Sequence, residues 1–249
     1  MGDLLTLKTW RAGLAELVGT FFLALAALAT PAPYTAVAVG LTLAAFVYAL
    51  GDISGCNVNP AVTLGLVATR RLPVAVGVLY VAAQLAGATL ARALAPAVHG
   101  APLPAYTAAG AVGEFVGVGF LVLTVLAVST KYVPKSGSGI AIGAALLAGL
   151  LTTRGVLNPA IALAMGLGLS VGLWAPLAGA LVFAPLSLLY LPTAGGEPAP
   201  AGAGQKEAPT SRRTTGATRP WRAATKPGVA NGTREGHGDE AITFTARRP

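Results

Sequence analysis

Apolar residues run along this chain in long blocks. They show neither the strict alternation of a half-buried strand nor the narrow stripe of an amphipathic surface helix. Six blocks approach the roughly 20 residues needed to cross a hydrocarbon layer: residues 12–30, 33–51, 73–95, 109–129, 136–152 and 171–191. The fifth is the shortest. In lipid each backbone polar group must find its partner inside the segment, so the blocks are predicted to be helices. Gly19, Gly87, Gly117 and Gly179 fall within them, and small residues let membrane helices approach closely. Two further apolar stretches, 62–69 and 161–169, are too short to span and fit re-entrant segments.

Charge placement sharpens this picture. Only 10% of the 249 residues are charged, against about 25% in a soluble domain. Glu16 is the single charge in residues 12–51, and none falls in 72–91, 115–130 or 155–196. A single soluble domain, a disulfide scaffold and a fully disordered chain are excluded. The lone Cys56 has no internal partner. Glu16 inside the first apolar run argues against a cleaved secretory signal over residues 1–33.

Basic residues in short loops set orientation. Lys8, Arg11, Arg70, Arg71, Lys131 and Lys135 fall on one side and only Arg92 and Arg154 on the other. Both termini are therefore expected in the cytoplasm, and the compact loops and Ala/Gly/Arg-rich composition suggest a bacterial plasma membrane. Residues 193–249 change composition abruptly and read as a disordered cytoplasmic tail. Their nine Lys/Arg and five Asp/Glu supply half of the net charge of +8. Arg212, Arg213, Arg219, Arg222 and Lys226 either touch anionic membrane lipid or are simply solvated. His237 has no ligand partners there. With the basic excess beside the membrane or in the tail, no nucleic-acid partner is expected, and no cofactor or metal.

The membrane part is duplicated. Glu16-Leu-Val-Gly-Thr-Phe-Phe-Leu-Ala-Leu and Glu114-Phe-Val-Gly-Val-Gly-Phe-Leu-Val-Leu match at an offset of 98, and Asn59-Pro60-Ala61 and Asn158-Pro159-Ala160 at 99. Two matches at nearly one period indicate a repeated unit. Each unit, about 12–95 and 109–191, holds three spans. The second must therefore enter from the opposite face, an inverted repeat with its site near the midplane.

Each Asn-Pro-Ala precedes one of the short apolar stretches. Asn is a good N-cap and Pro suits the first helical position, so each motif reads as the start of a half-helix. Loop 52–69 dips from one face and 153–169 from the other, and their N-termini meet. Two positive dipole ends aimed at one spot disfavour cations and protons. The amides of Asn59 and Asn158 are then expected to be free to donate to a passing neutral molecule.

On these motifs the chain resembles the aquaporins, the major intrinsic protein family, over residues 12–191. The resemblance also rests on Ser54-Gly55-Cys-Asn-Val, Tyr80-Val-Ala-Ala-Gln84-Leu-Ala-Gly87 and Trp174-Ala-Pro176-Leu-Ala-Gly179. It implies an all-α membrane protein of aquaporin-like fold, six transmembrane helices plus two re-entrant half-helices in two inverted repeats. It further implies a homotetramer, a pore in each subunit and passive passage of water or small neutral solutes. The channel would occupy residues 1–192. Intramembrane Glu16 and Glu114 have two readings. One is proton coupling in a secondary transporter. The other is the family's use of these glutamates to accept hydrogen bonds from the half-helix loops, which the symmetric placement favours. Gln84 would brace the same region. An enzyme would need a nucleophile–base pair or ligand cluster within the spans, and none is evident.

The sequence also departs from the family. Most aquaporins place Arg directly after the second Asn-Pro-Ala, and here the residue is Ile161. By ungapped offset the outer filter becomes Val39, Leu146, Gly155 and Ile161, with no side-chain donor. Loss of aromatic bulk widens the constriction, yet an apolar ring offers water nothing and favours dewetting. Arg154 either substitutes for the missing Arg or faces the outer vestibule. Ala162 and Gly166 replace the Asp and Lys usual in glycerol-conducting relatives. The chain resembles divergent members such as the plant small basic intrinsic proteins, and a non-conducting relative is a further alternative. Cys56 either faces the inner pore mouth or packs in the loop. His99, in an outer loop read as 96–108, is expected to be solvated or to act as a pH sensor.

Overall fold

A computed structural model describes residues 6–107, 109–130 and 134–191; Lys131 and the tail with His237 lie outside them. The described residues form α-helices and no strands: α1 (Leu7–Ala29), α2 (Thr35–Ser54), α3 (Pro60–Ala68), α4 (Val74–His99), α5 (Ala111–Ser129), α6 (Lys135–Thr153), α7 (Pro159–Ala164) and α8 (Val171–Ser187). Five of these, α1, α2, α4, α5 and α6, are long and apolar enough to cross a membrane, while α8 has 17 residues.

The boundaries differ from the hydropathy blocks for local reasons. α1 begins at Leu7 because Thr6 caps it, its hydroxyl accepting from Thr9 N–H at 3.2 Å. α4 continues through Pro96 to His99 and ends on Gly100 in a left-handed conformation at φ 75°. A proline near a helix end deletes only one backbone bond. α8 stops at Ser187 and tightens into three-residue turns, Leu188 N–H to Pro185 O and Tyr190 N–H to Ser187 O. α7 ends at Ala164, five residues before the predicted limit. Left-handed Gly166, at φ 81°, turns the chain there and lets Leu167 N–H reach back to Ala162 O.

The two repeats pack alike: α1 lies along α4, α5 along α8, and α2 meets α6 between them. At both intra-repeat crossings backbone touches backbone. A Cβ on Gly87 would stand 2.3 Å from Leu17 O, and one on Gly179 2.5 Å from Phe115 O. Only glycine permits these approaches.

Contacts at the two ends define two faces. At one, Tyr48 Oη donates to Ser136 O, Lys135 pairs with Asp52, and Arg71 donates to Ser129 Oγ. At the other, His99 Nδ1–H donates to Ala29 O and Tyr106 Oη to Leu28 O. His99 is thus in the last turn of α4 and bonded to α1, not solvated in a loop. α3 runs back to the first face and α7 to the second, so their N-termini lie between.

Candidate functional site

The site is the junction of the two half-helices. Asn59 caps α3, its Oδ1 accepting from Ala61 N–H at 2.8 Å; Asn158 caps α7, its Oδ1 accepting from Ala160 N–H at 3.1 Å. Pro60 and Pro159 occupy the first helical positions, where no donor is lost. The cap amides cross over. Asn59 Nδ2 donates to Leu157 O at 2.8 Å, and Asn158 Nδ2 donates to Val58 O at 2.9 Å. Each amide therefore spends one N–H on the opposite loop and keeps one. One N–H of each amide thus remains for a passing molecule, and the other serves the partner loop's carbonyl.

Those carbonyls are aimed by unusual backbone. Val58 and Leu157 are left-handed, at φ 44° and 59°, a conformation unfavourable for bulky side chains. Glutamates hold them. Glu16 Oε2 accepts from Val58 N–H at 2.7 Å and Oε1 from Asn57 N–H at 2.9 Å. Glu114 Oε2 accepts from Leu157 N–H at 2.8 Å and Oε1 from Val156 N–H at 2.8 Å. Gly19 and Gly117, three residues after each glutamate, make room for the same two side chains. A Cβ on Gly19 would lie 2.6 Å from Val58 Cγ1, and one on Gly117 2.4 Å from Leu157 Cδ2.

The first repeat carries extra bracing. Glu16 also accepts from Ser54 Oγ at 2.6 Å and Gln84 Nε2 at 2.8 Å, while Gln84 Nε2 reaches Thr63 Oγ1 at 2.9 Å. Tyr80 Oη donates to Ser54 O at 2.9 Å. Both glutamates and Gln84 are fully buried. Both carboxylates are thus occupied by donors, four on Glu16 and two on Glu114. Each buried carboxylate thus holds its half-helix loop through charge-assisted hydrogen bonds.

Val39, Leu146 and Ile161 are all buried residues of the apolar core. They are 4%, 2% and 2% exposed. Gly155 is buried against Leu157, Thr153 and Glu114, with no space for a Cβ. Arg154 ends α6 in a left-handed conformation at φ 57°, with its N–H on Leu150 O and its side chain exposed. Cys56 packs in the core at 4% exposure, its N–H on Ser54 Oγ. On the α2–α6 side of the junction a cavity of about 480 Å³ is lined by Asn57, Asp52, Tyr48, Lys135, Ser138 and Ile142 among others.

Sequence reasoning missed Ser54, Asn57, Val58, Thr63, Tyr80 and Leu157. Ser54, Thr63 and Tyr80 are ordinary helix residues whose roles depend on neighbours far along the chain. Val58 and Leu157 did carry a signal: each is an apolar residue directly before a capping Asn, at the repeat offset.

The family model described as Major intrinsic protein matches residues 3–190. Aquaporin AqpM of Methanothermobacter thermautotrophicus is 36% identical over 142 residues, covering 49% of this chain and 57% of that protein. Aquaporin NIP1-4 of Oryza sativa subsp. japonica is 36% identical over 170 residues, covering 59% and 62%. The chain spans less than two thirds of the length of these relatives. Among solved structures, an aquaglyceroporin from Plasmodium falciparum matches with a TM-score of 0.60 over 73% of this chain and 95% of that chain, at 20% identity. That last likeness is one of fold.

Proposed function

Because the chain belongs to the major intrinsic protein family, we propose that it is a passive transmembrane channel for water or small uncharged solutes. The observation that carries this reading is the reciprocal pair at the junction, Asn59 to Leu157 O and Asn158 to Val58 O. It holds two helix N-termini face to face. Their summed dipoles make the midpoint electropositive, which disfavours cations and protons. The remaining N–H of each Asn is the donor for a neutral solute. The neutral and apolar set Val39, Leu146, Gly155 and Ile161 forms the outer constriction, with Arg154 in the outer vestibule. A ring without donors exacts a dehydration cost from water, so less polar solutes are favoured over it. The functional unit is a homotetramer in the plasma membrane, with both termini cytoplasmic. Lys8, Arg11, Arg70, Arg71 and Lys135 on one face support that orientation.

The test is stopped-flow light scattering of proteoliposomes with water, glycerol and urea, with and without a proton gradient. Flux above empty liposomes that ignores the proton gradient is expected. Uptake that requires the gradient would favour the secondary-transporter reading through Glu16 or Glu114. Absence of flux for all three would favour a non-conducting relative.

A further inference from the structure

The two half-helices end differently. α3 is closed by its own C-cap residue: Thr69 Oγ1 donates to Gly65 O at 2.8 Å and to Leu66 O at 3.3 Å. α7 has only six residues, and its C-cap is Met165, which has no hydroxyl to offer. Arg92 of α4 supplies a donor to a different carbonyl of this end. Its Nη1 donates to Ala164 O, in the last turn of α7. The guanidinium lies over Gly166, where a Cβ would meet Nη1 at 3.2 Å and Nη2 at 3.4 Å.

Arg92 is exposed near the end of its helix. It is the one charged residue of the apolar helix α4, about two turns before its end at His99. A cation within a span is tolerated when its donors are met or when it reaches water. The second holds, because the Arg92 side chain is exposed. Ala164 O takes one donor, and a cavity of about 700 Å³ beside it, lined by Arg92, Pro96, Ala97, Gly100 and Leu103 among others, leads to the end of α4. No carboxylate among the described residues forms an ion pair with it. A positive charge at the C-terminal end of a helix also meets the negative end of the dipole.

We propose that Arg92 is a positioning residue for the outer half of the pore. It clamps the C-terminal end of α7, and so holds Asn158 and Ile161, at the start of that helix, in register. This rests on the channel reading above. α3 is closed by a hydroxyl of its own segment, on the carbonyls four and three residues before the cap; α7 is held by a cation from a neighbouring helix, on the carbonyl one residue before its cap.

The experiment uses the full chain in proteoliposomes, native and with Arg92→Met, Arg92→Lys and the double change Arg92→Met with Met165→Thr. Two quantities are read: amide exchange of residues 160–167 against residues 61–68, and the permeability ratio of a five-carbon polyol to glycerol. Arg92→Met is expected to speed exchange in α7 about tenfold, the scale of one lost charge-assisted hydrogen bond, with α3 unchanged. The polyol ratio should rise with it. Arg92→Lys keeps the charge and a donor and should stay near native. Adding Met165→Thr places a hydroxyl on Ile161 O and Ala162 O, as Thr69 does on α3, and leaves Ala164 O unmet, so the double variant should exchange as fast as Arg92→Met; Arg92→Lys decides the matter if Arg92→Met alone folds poorly. Native-like exchange in Arg92→Met, equal loss in Arg92→Lys and Arg92→Met, or full protection regained with Met165→Thr overturns the clamp. If exchange changes but the polyol ratio does not, the role is structural only and the proposal fails. If native liposomes pass neither water nor solute, the channel reading falls, and the exchange data still decide the clamp.

Discussion

The side chain of Val58 fills the space that a Cβ on Gly19 would need, 2.6 Å from Val58 Cγ1. The N–H of Val58 is at the same time bound by Glu16, one turn earlier on α1. Leu157 stands in the same relation to Gly117 and Glu114. One glutamate and one glycine in each repeat thus fix a left-handed residue by its backbone and its side chain together. The carbonyl of that residue is then presented to the opposite asparagine.

Gly19→Ala and Gly117→Ala are therefore expected to destabilise the fold by about 1–3 kcal/mol each through overpacking. Gly51→Ala is the control, because nothing lies within 4 Å of its Cβ position. Denaturant unfolding in detergent micelles measures all three. Equal stability of the Gly19 and Gly51 variants would refute this account of the site.

Glu114→Gln replaces an acceptor oxygen by an NH₂ group facing the N–H groups of Val156 and Leu157. A buried donor left without an acceptor costs about 1–3 kcal/mol. Lower thermal stability is expected, with solute flux still indifferent to a proton gradient. A native flux that follows the proton gradient, and loses that dependence in this variant, would instead assign Glu114 a relay role.

Asn59→Ala removes both a helix cap, worth about 1 kcal/mol, and the bond to Leu157 O. Asn158→Ala does the same for Val58 O. Each variant should lose stability and, with the junction loosened, leak more cations. Ion flux into liposomes loaded with a fluorescent indicator reads the second effect. A tight barrier in both variants would mean that the dipoles alone exclude ions.

Ile161→Arg restores the charge that the resembled family carries at this position. It is expected to lower glycerol permeability several-fold and to raise the ratio of water to glycerol, by narrowing the constriction and supplying donors. Stopped-flow light scattering on matched liposomes measures both. An unchanged ratio would remove Ile161 from the constriction.

The Lys135–Asp52 pair joins α6 to α2 but is about three-quarters exposed on both sides. Such pairs contribute about 0–1 kcal/mol. Asp52→Asn should leave stability within that range, and raised salt should have little effect on the native protein. Thermal unfolding in detergent at low and high salt measures both. A larger loss would indicate coupling of the pair to the cavity it borders.

The hydrophobic blocks, the inverted repeat and the half-helix starts are legible in the order of residues. Those features are local or periodic: apolar length, a matching offset and the capping chemistry of Asn-Pro. The glutamates and Gly19 and Gly117 were legible too, because duplication printed them twice. Tertiary structure alone decided where the asparagine amides donate, because their acceptors lie about a hundred residues away. It likewise decided that His99 is bonded to α1 rather than solvated, that α7 stops at Ala164, and that Arg92 donates to Ala164 O. A side chain's type limits what it can donate or accept, but the partner within reach is set by how distant helices cross.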